Sequence, residues 1–385
     1  MVELSKKILF RTVALLVGLM VPYLIAEGVY SVAKGPEAAT SLAYDAYSAW
    51  FVDRQAPPHD PNDPTTEVIT NLSQFKSHMD AFKAEGIGIG NSPFRELKTT
   101  RVALNDEKDG CKVQKPNLRK VVAYVKSNLF NPFDQITYFH DADQKLSPEL
   151  EQFFARYQFR PVRHTTNEYG ERLTLPAVDA DDKVLVAGDS VANGVMLDDS
   201  ETIASQLQAA DSSQQSINLG ISGATSSDVQ CALETAASRY AGHIRELIYV
   251  FCENDFIEEN AYGTPEELIA WLVDFKNRVG IDSVLFHYAP YIYNVVPQVT
   301  RVYGNPRRNF PTFREEKRRL LSAARAAGFR ILDYVEVAKA EEQAIGSQFA
   351  SLALFVDHAH LSRLGIERLL PRYTALRHSH SGENR

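Results

Sequence analysis

Short apolar runs and amphipathic stretches alternate along the second half of the chain, from about residue 181 onward. The apolar runs, rich in β-branched and aromatic residues, are KVLVA (183–187), SINL (216–219), LIYVF (247–251), SVLFHY (283–288) and RILDY (330–334). Stretches with helical spacing lie between and after them, at 201–210, 226–240, 265–279, 314–328 and 362–376. Apolar strands separated by helices of about 10–15 residues indicate βαβ units. The pattern therefore predicts an α/β fold around a buried parallel sheet of about five strands.

The first half of the chain, from residue 31 to about 175, is patterned less clearly. Apolar side chains recur at helical spacing in three segments, 73–86, 116–130 and 147–157. The third segment opens with Ser147 and Pro148, residue types favoured at the N-cap and at the first helical position. We predict a mixed, partly helical accessory region over 31–175, to which composition assigns no chemistry.

The N-terminus carries the longest apolar run. The uncharged stretch TVALLVGLMVPYLIA (12–26) follows two lysines and an arginine, and Glu27 comes directly after it. With the apolar residues before the arginine, the segment reaches about 20 residues, enough for a helix that spans a bilayer. Positive charge on its N-terminal side places the remainder of the chain outside the cytoplasm. We expect residues 1–30 to be a transmembrane anchor, with a cleaved signal peptide as the alternative.

Composition narrows the class of protein further. The chain has 385 residues, 44% of them hydrophobic, and a formal net charge of -8. It is long enough to bury a full core, and the acidic balance argues against general affinity for nucleic acid, which depends on an excess of Lys and Arg. The three cysteines, Cys111, Cys231 and Cys252, show neither metal-ligand spacing nor a disulfide framework, so at most one bridge can form. They do not indicate a redox compartment.

Polar residues that carry chemistry follow the predicted strands. Ser190 comes just after the first strand, and Asp357 and His360 stand before the last helix. A serine hydroxyl is a weak nucleophile that needs a base within hydrogen-bond reach, and an imidazole oriented by a carboxylate is such a base. The spacing of three residues lets one turn build the Asp–His pair. We therefore predict a triad of Ser190, His360 and Asp357.

A tetrahedral oxyanion also needs preorganised hydrogen-bond donors. The backbone N–H of Ser190, the backbone N–H of Gly220 after the second strand, and the side-chain amide of Asn254 after the third are the candidates. Glycine suits its place because a residue without Cβ lets the backbone approach a substrate closely. At position 254 an amide donates to the developing charge, whereas a carboxylate would repel it. These three groups form the predicted oxyanion hole.

The chain resembles the SGNH hydrolases, also called the GDSL-type esterase family, over residues 181 to 376. The resemblance rests on four blocks: Gly188-Asp189-Ser190, Asn218-Leu219-Gly220, Asn254-Asp255, and Asp357 with His360. It implies a three-layer α/β/α sandwich and an enzyme that cleaves or transfers ester-linked acyl groups. Val191 stands where leucine is usual, and Cys252-Glu253 replaces a glycine-containing pair. The stretch 165–176 also resembles an Asn-x-x-Gly-x-Arg lead-in of exported bacterial members.

Each block has an ordinary structural interpretation when it is taken alone. Ser190 suits a helix N-cap, Gly220 a simple turn, and the pair of Asp357 and His360 a capping or solvated role. Four such residues in the family's order, each at a strand end or before the last helix, favour the enzyme. Cys252, at the end of a buried strand, is better read as a small core residue than as a nucleophile.

The sequence thus predicts a membrane-anchored serine esterase, and the resemblance implies that its substrates are acyl groups, O-acetyl above all, on a carbohydrate of the cell envelope. Its catalytic domain would span 176–377, outside the cytoplasm, followed by a solvated tail over 378–385. The reaction needs no metal or organic cofactor; the partners expected are the ester substrate and the membrane, not nucleic acid. An O-acyltransferase, a lysophospholipase and a catalytically silent scaffold subunit of an envelope assembly complex remain alternatives.

Overall fold

Strands and helices fill the part of the chain that the computed structural model describes, residues 88–90, 104–125, 135–156, 159–256, 263–295, 313–345, 354–357 and 359–378. The strands are β1 (Gly88–Gly90), β2 (Asn105–Lys108), β3 (Cys111–Gln114), β4 (Arg119–Val125), β5 (Gln135–Asp141), β6 (Arg160–Thr165), β7 (Lys183–Gly188), β8 (Gln215–Asn218), β9 (Ile244–Cys252), β10 (Ser283–Ala289) and β11 (Arg330–Asp333). The helices are α1 (Pro148–Arg156), α2 (Ser190–Asn193), α3 (Ile203–Ala210), α4 (Ser226–Arg239), α5 (Pro265–Val279), α6 (Ile292–Val295), α7 (Arg314–Ala326), α8 (Tyr334–Ile345) and α9 (Arg363–His378). Short 3₁₀ turns cover Asp199–Glu201 and Glu253–Phe256.

Five strands of the C-terminal half form one sheet in the order β11-β10-β9-β7-β8. All neighbouring strands run parallel; Val186 of β7, for example, pairs with Ile248 of β9 on one side and Asn218 of β8 on the other. Each predicted apolar run forms one of these strands, so the α/β class and the five-stranded parallel sheet are confirmed. Parallel order brings the carboxyl ends of β7, β8 and β9 to one edge, where ligands bind in such sheets.

Helices cover both faces of the parallel sheet. Val184 and Val186 pack in a core with α3, α6, α8 and α9, whereas Leu185 and Ala187 pack with α4, α5 and α7. Neighbouring residues of a strand point to opposite faces, so a strand covered on both sides must be apolar at every position. This is why the strand sequences are continuous apolar runs.

The accessory region contains a second sheet, which is antiparallel and has the order β1-β5-β4-β6. Its strand β4 lies inside the segment 116–130, for which the spacing predicts a helix, and that prediction is wrong. Val122 and Tyr124 of β4 are buried, and the strand pairs with β5 on one side and β6 on the other. The spacing of apolar residues within one segment gives no information on pairing with distant strands. The β-branched residues of β4 favour a strand. The helix α1 lies within the predicted segment 147–157.

The antiparallel sheet packs against the half of the chain that contains the parallel sheet. Val122 and Tyr124 share a small core with Met196, six residues after Ser190, and with Val356, next to Asp357. A disulfide joins Cys111 to Cys231 and so ties the two halves covalently, while Cys252 is free and buried. The single bridge that three cysteines allow is therefore present. The predicted domain boundary at 175/176 stays a prediction.

The predicted anchor over 1–30 and the predicted helix over 73–86 lie outside the described residues. Among the helices that the structure describes, none combines the length and the apolar character needed to span a membrane.

Candidate active site

Ser190 stands where β7 ends and α2 begins, at the edge of the parallel sheet. Gly188 passes so close to β9 that a Cβ there would lie 2.4 Å from the carbonyl oxygen of Val250, which requires glycine. Asp189 is the N-cap of α2, and its Oδ1 accepts from the Val191 N–H at 2.9 Å. The turn is thus held at its backbone, and it presents the Ser190 hydroxyl at a fixed place.

Asp357 and His360 belong to a short loop before α9 that closes on itself. Oδ1 of Asp357 accepts from the N–H groups of Ala359 (2.9 Å) and His360 (2.8 Å), and the Val356 N–H donates to the His360 carbonyl at 2.8 Å. Oδ2 of Asp357 lies 2.7 Å from Nδ1 of His360. The carboxylate is fully buried, whereas the imidazole side chain is 12% exposed. One turn therefore builds the pair and aims the ring.

The structure brings His360 to Ser190 across 170 residues of sequence, with Nε2 at 2.8 Å from the serine Oγ. Since Nδ1 donates to Asp357, Nε2 is the ring nitrogen left to accept the Ser190 O–H. A hydroxyl, an imidazole and a buried carboxylate in this order can activate the hydroxyl as a nucleophile.

Two carboxylates act on the pKa of His360. Burial lowers it, but the charge and hydrogen bond of Asp357, with a further contribution from the charge of Asp189, outweigh burial and leave the pKa above 6.5. Asp189 is itself buried, which raises its own pKa, and it lies 3.4 Å from the Ser190 hydroxyl through Oδ2. The side chain of Asn254 also hydrogen-bonds to Asp189. Asp189 thus caps the turn and adds charge beside the imidazole.

Gly220 lies against the helix that starts at Ser190. A Cβ at this position would fall 2.1 Å from the backbone nitrogen of Asn193, so only glycine fits. Its N–H donates to Oδ1 of Asn218 at 2.9 Å, and its carbonyl accepts from Nδ2 of Asn193 at 2.9 Å. The structure therefore places Gly220 beside the nucleophile's helix, with its N–H engaged by Asn218. Its role as an oxyanion donor stays a prediction.

Asn254 sits in the 3₁₀ turn that follows β9, anchored by the glutamate before it. The carboxylate of Glu253 accepts from the hydroxyl of Tyr288, from the N–H of Tyr291 (2.7 Å) and from Nδ2 of Asn294 (2.5 Å). Burial raises the pKa of this carboxyl, which is 2% exposed. Glu253, which stands where the resembled family has a glycine-containing pair, therefore ties the Asn254 turn to the end of β10 and the residues after it.

Cys252 lies at the end of β9, fully enclosed. Burial, with the nearby charges of Asp189 and Asp255, raises its pKa well above the ordinary thiol value. A thiol held in its protonated form is a poor nucleophile, in keeping with a core role. Among the described residues no group of three or more His, Cys, Asp or Glu side chains is placed to hold a metal ion.

Arg172 is a structural residue that the sequence analysis did not single out. Its only sequence signal is its place in the Asn-x-x-Gly-x-Arg motif of the stretch 165–176. Its side chain is fully buried, and Nε contacts Asp199 at 3.2 Å. The other donors reach four backbone carbonyls, those of Asn193 (2.9 Å), Gly194 (2.5 Å), Leu197 (2.6 Å) and Arg163 (2.9 Å). Three of these carbonyls belong to the end of α2 and the turn after it, so Arg172 fixes the segment that follows Ser190.

No family model and no curated protein matches this sequence. Solved structures do match. A lipolytic protein of the G-D-S-L family from Veillonella parvula has 15% identity and a TM-score of 0.38, over 52% of this chain and 98% of that one. The chain is similar to GDSL-type proteins. An acetyl-xylooligosaccharide esterase from Geobacillus (18% identity, TM-score 0.36, 52% of this chain and 95% of that one) also matches.

A member of a carbohydrate acetylesterase family from Sinorhizobium meliloti is a third match, with 14% identity and a TM-score of 0.34, over 51% of this chain and 98% of that one. These matches are of the kind that the four sequence blocks indicate.

Proposed function

We propose that the chain is a serine esterase in which Ser190 attacks an ester carbonyl, His360 takes its proton and Asp357 steadies the imidazolium. The single observation that carries this proposal is the unbroken contact from Ser190 Oγ to His360 Nε2 (2.8 Å) and from His360 Nδ1 to Asp357 Oδ2 (2.7 Å). The buried carboxylate holds the tautomer in which Nε2 accepts, as a general base requires.

The proposed reaction proceeds in two halves. Ser190 Oγ bonds to the carbonyl carbon while its proton moves to Nε2 of His360; the tetrahedral intermediate then expels the alcohol, which takes that proton, and an acyl-serine remains. Water enters, gives a proton to His360 and attacks the acyl carbon; collapse returns the proton to Ser190 and releases the acid. A sugar hydroxyl in place of water would make the same chemistry an acyl transfer.

The proposed oxyanion donors are the N–H groups of Ser190 and Gly220 and the side-chain amide of Asn254. The amide of Asn254 hydrogen-bonds to Asp189, the residue before Ser190. This bond keeps the Asn254 amide close to the reacting centre. The Gly220 N–H would be shared between Asn218 Oδ1 and the oxyanion, since the asparagine holds it in the free protein. Preorganised donors of this kind contribute a large part of the rate in acyl transfer.

We further propose that the enzyme is anchored by residues 1–30 and acts outside the cytoplasm on O-acetyl groups of an envelope carbohydrate. The apolar N-terminal run and the charges around it support export. The disulfide between Cys111 and Cys231 supports it as well, because such bonds persist mainly in oxidising compartments. An enzyme tethered by one helix outside the cytoplasm meets envelope material first.

Hydrolysis of p-nitrophenyl acetate by the purified full chain tests the activity. Ser190→Ala is expected to abolish turnover above background, whereas Ser213→Ala, which alters an exposed serine in the turn before β8, should leave it unchanged. Equal activity in wild type and Ser190→Ala would contradict the proposal and favour a scaffold role. Release of acetate from acetylated polysaccharides, compared with cleavage of long-chain esters, then separates a carbohydrate esterase from a lipase.

A further inference from the structure

The loop at residues 219–225, called here the Gly220 loop, is held by the hairpin of β2 and β3 from the accessory region. Three successive contacts join them. Gln114 donates through Nε2 to the Gly220 carbonyl, Asn105 donates through Nδ2 to the Ser222 carbonyl at 2.6 Å, and Lys112 donates through Nζ to the Gly223 carbonyl. Side chains from more than 100 residues upstream thus fix the carbonyls of one loop at the candidate site.

The same hairpin is fastened to the helix into which the loop leads. The backbone N–H of Lys112 donates to Oδ1 of Asp228 at 2.6 Å, in the first turn of α4. One turn further along α4, Cys231 forms the disulfide with Cys111 at the start of β3. Asp228 also closes the capping box of α4 with Thr225, the last residue of the loop. The hairpin therefore cannot move without moving the base of the loop.

Gln114 is oriented by a second contact. It is 5% exposed, and its Oε1 lies 3.4 Å from Nε2 of His164, which is fully buried. Burial and the charge of Arg172 lower the pKa of His164 well below 6.5, so the ring is neutral near pH 7 and Nε2 can carry its single proton. A donor at Nε2 requires the amide oxygen of Gln114 to face it. The amide nitrogen is then directed to the Gly220 carbonyl.

The Gly220 carbonyl joins this hairpin to the nucleophile's helix. It accepts from Gln114 on one side and from Nδ2 of Asn193, three residues after Ser190, on the other. Glycine has no side chain to restrict its backbone, so its conformation depends on bonds made by others. Two donors on one carbonyl supply that restriction at the residue whose N–H is proposed to meet the oxyanion.

We propose that Gln114 is a positioning residue for the oxyanion hole and that the β2–β3 hairpin exists to hold it there. This proposal rests on the proposed esterase function. Gln114 does not contact the reacting atoms; it sets the position of Gly220, and the disulfide and the Lys112–Asp228 bond keep the hairpin seated. The first half of the chain thus contributes to catalysis through the Gly220 loop.

Gln114→Met in the full-length enzyme tests the proposal, because methionine keeps the length and removes the donor. The matched control is Gln208→Met. Gln208 is equally buried and donates through Nε2 to the Gln214 carbonyl at 2.6 Å, before the opposite end of the same strand β8. Both variants lose a buried amide and its bond to a backbone carbonyl. Gln208→Met also removes the acceptor of the Ser216 N–H, so a purely structural effect should be at least as large in the control.

We expect Gln114→Met to lower kcat about tenfold with KM changed less than about twofold. The loss should be smaller than the roughly 10²- to 10³-fold loss of kcat that follows removal of an oxyanion-hole donor itself. The affinity for phenylboronic acid, which forms a tetrahedral adduct on the serine, should fall by the same factor. Gln208→Met should leave both quantities within about twofold. The double variant Cys111→Ser with Cys231→Ser should lower kcat in the same direction as Gln114→Met.

Equal kcat and equal boronic acid affinity in the Gln114→Met and Gln208→Met variants would overturn the proposal. Amide hydrogen exchange provides a readout that needs no turnover: exchange over 219–225 should be faster in Gln114→Met and unchanged in Gln208→Met. If the wild type hydrolyses no ester, the esterase function fails, and the exchange result still decides whether Gln114 holds the loop. Unchanged exchange in both variants would overturn the positioning role itself.

Discussion

Two loops meet at the candidate site, and they are built in opposite ways. The loop from Asp357 to His360 makes its own geometry, because one carboxylate binds the two backbone N–H groups and the ring that follow it. The Gly220 loop takes its geometry from outside, through Gln114 and the other side chains of the hairpin. A local motif holds the proposed base, His360, and a long-range assembly holds Gly220, one of the proposed oxyanion donors.

The difference has a physical reason. A charged pair three residues apart can be satisfied by a single turn, whereas a loop that contains glycine at 220 and 223 has a flexible backbone and needs bonds from other elements. The two loops should therefore respond differently to mutation. A substitution in the loop from Asp357 to His360 should disturb that loop alone. The Gly220 loop should also be disturbed by substitutions more than 100 residues upstream, in the hairpin of β2 and β3.

The largest effect is expected where the self-contained loop is broken. Asp357→Asn keeps the side-chain volume and one acceptor but removes the charge that favours the productive tautomer and the imidazolium. We expect kcat/KM to fall by about 10³- to 10⁴-fold, measured with p-nitrophenyl acetate. Asp211→Asn, at the end of α3, serves as control and should stay within about twofold. A loss below about tenfold in Asp357→Asn would contradict the role given to the carboxylate.

A large effect on stability is expected at Arg172, which joins the accessory region to the segment after Ser190. Arg172→Met removes five donors and leaves the buried Asp199 without its charged partner, with the Thr165 N–H still bonded to it, so the free energy of unfolding should fall by about 3–5 kcal/mol. Urea denaturation measures it. Arg239→Met, which breaks a more exposed pair with Glu171, should cost about 1 kcal/mol or less. Equal losses in the two variants would show that burial of Arg172 matters little.

A smaller effect is expected on the pH dependence. His360 must be neutral to accept the serine proton, and its pKa lies above 6.5, so kcat/KM should rise with pH through an inflection above that value. Asp189→Asn keeps the N-cap acceptor and removes a negative charge that favours the imidazolium. The pKa should therefore fall, and the inflection should move to lower pH by less than about one unit. An inflection that moves upward would contradict this account.

The parts of the fold that depend on local pattern follow from the sequence. Runs such as 247–251 are apolar at every position because both faces of their strand are covered, and the helix α5 occupies the predicted 265–279. The strand β4 does not follow, because its pairing with β5 and β6 overrides the local spacing. The helix α8, which begins directly after β11, is also absent from the predicted elements.

The residues of the candidate site also fall into two groups, those that local pattern predicts and those that depend on long-range contacts. Ser190, Asp357, His360 and Asn254 are recognisable because they stand at the ends of strands or in one turn. The five donors of Arg172 and the bond from Gln114 to the Gly220 carbonyl, by contrast, join residues that stand far apart in the sequence. No spacing in a single sequence marks such partners, so the structure is needed to find them.

The most direct test of the central claim is labelling of the full chain with a fluorophosphonate probe, followed by mass spectrometry of the modified peptide. We expect one label on Ser190 in the wild type, and a rate of labelling reduced by about 10³-fold or more in His360→Ala. Labelling of Ser190 at the same rate in both proteins, or no labelling of Ser190 at all, would contradict this claim.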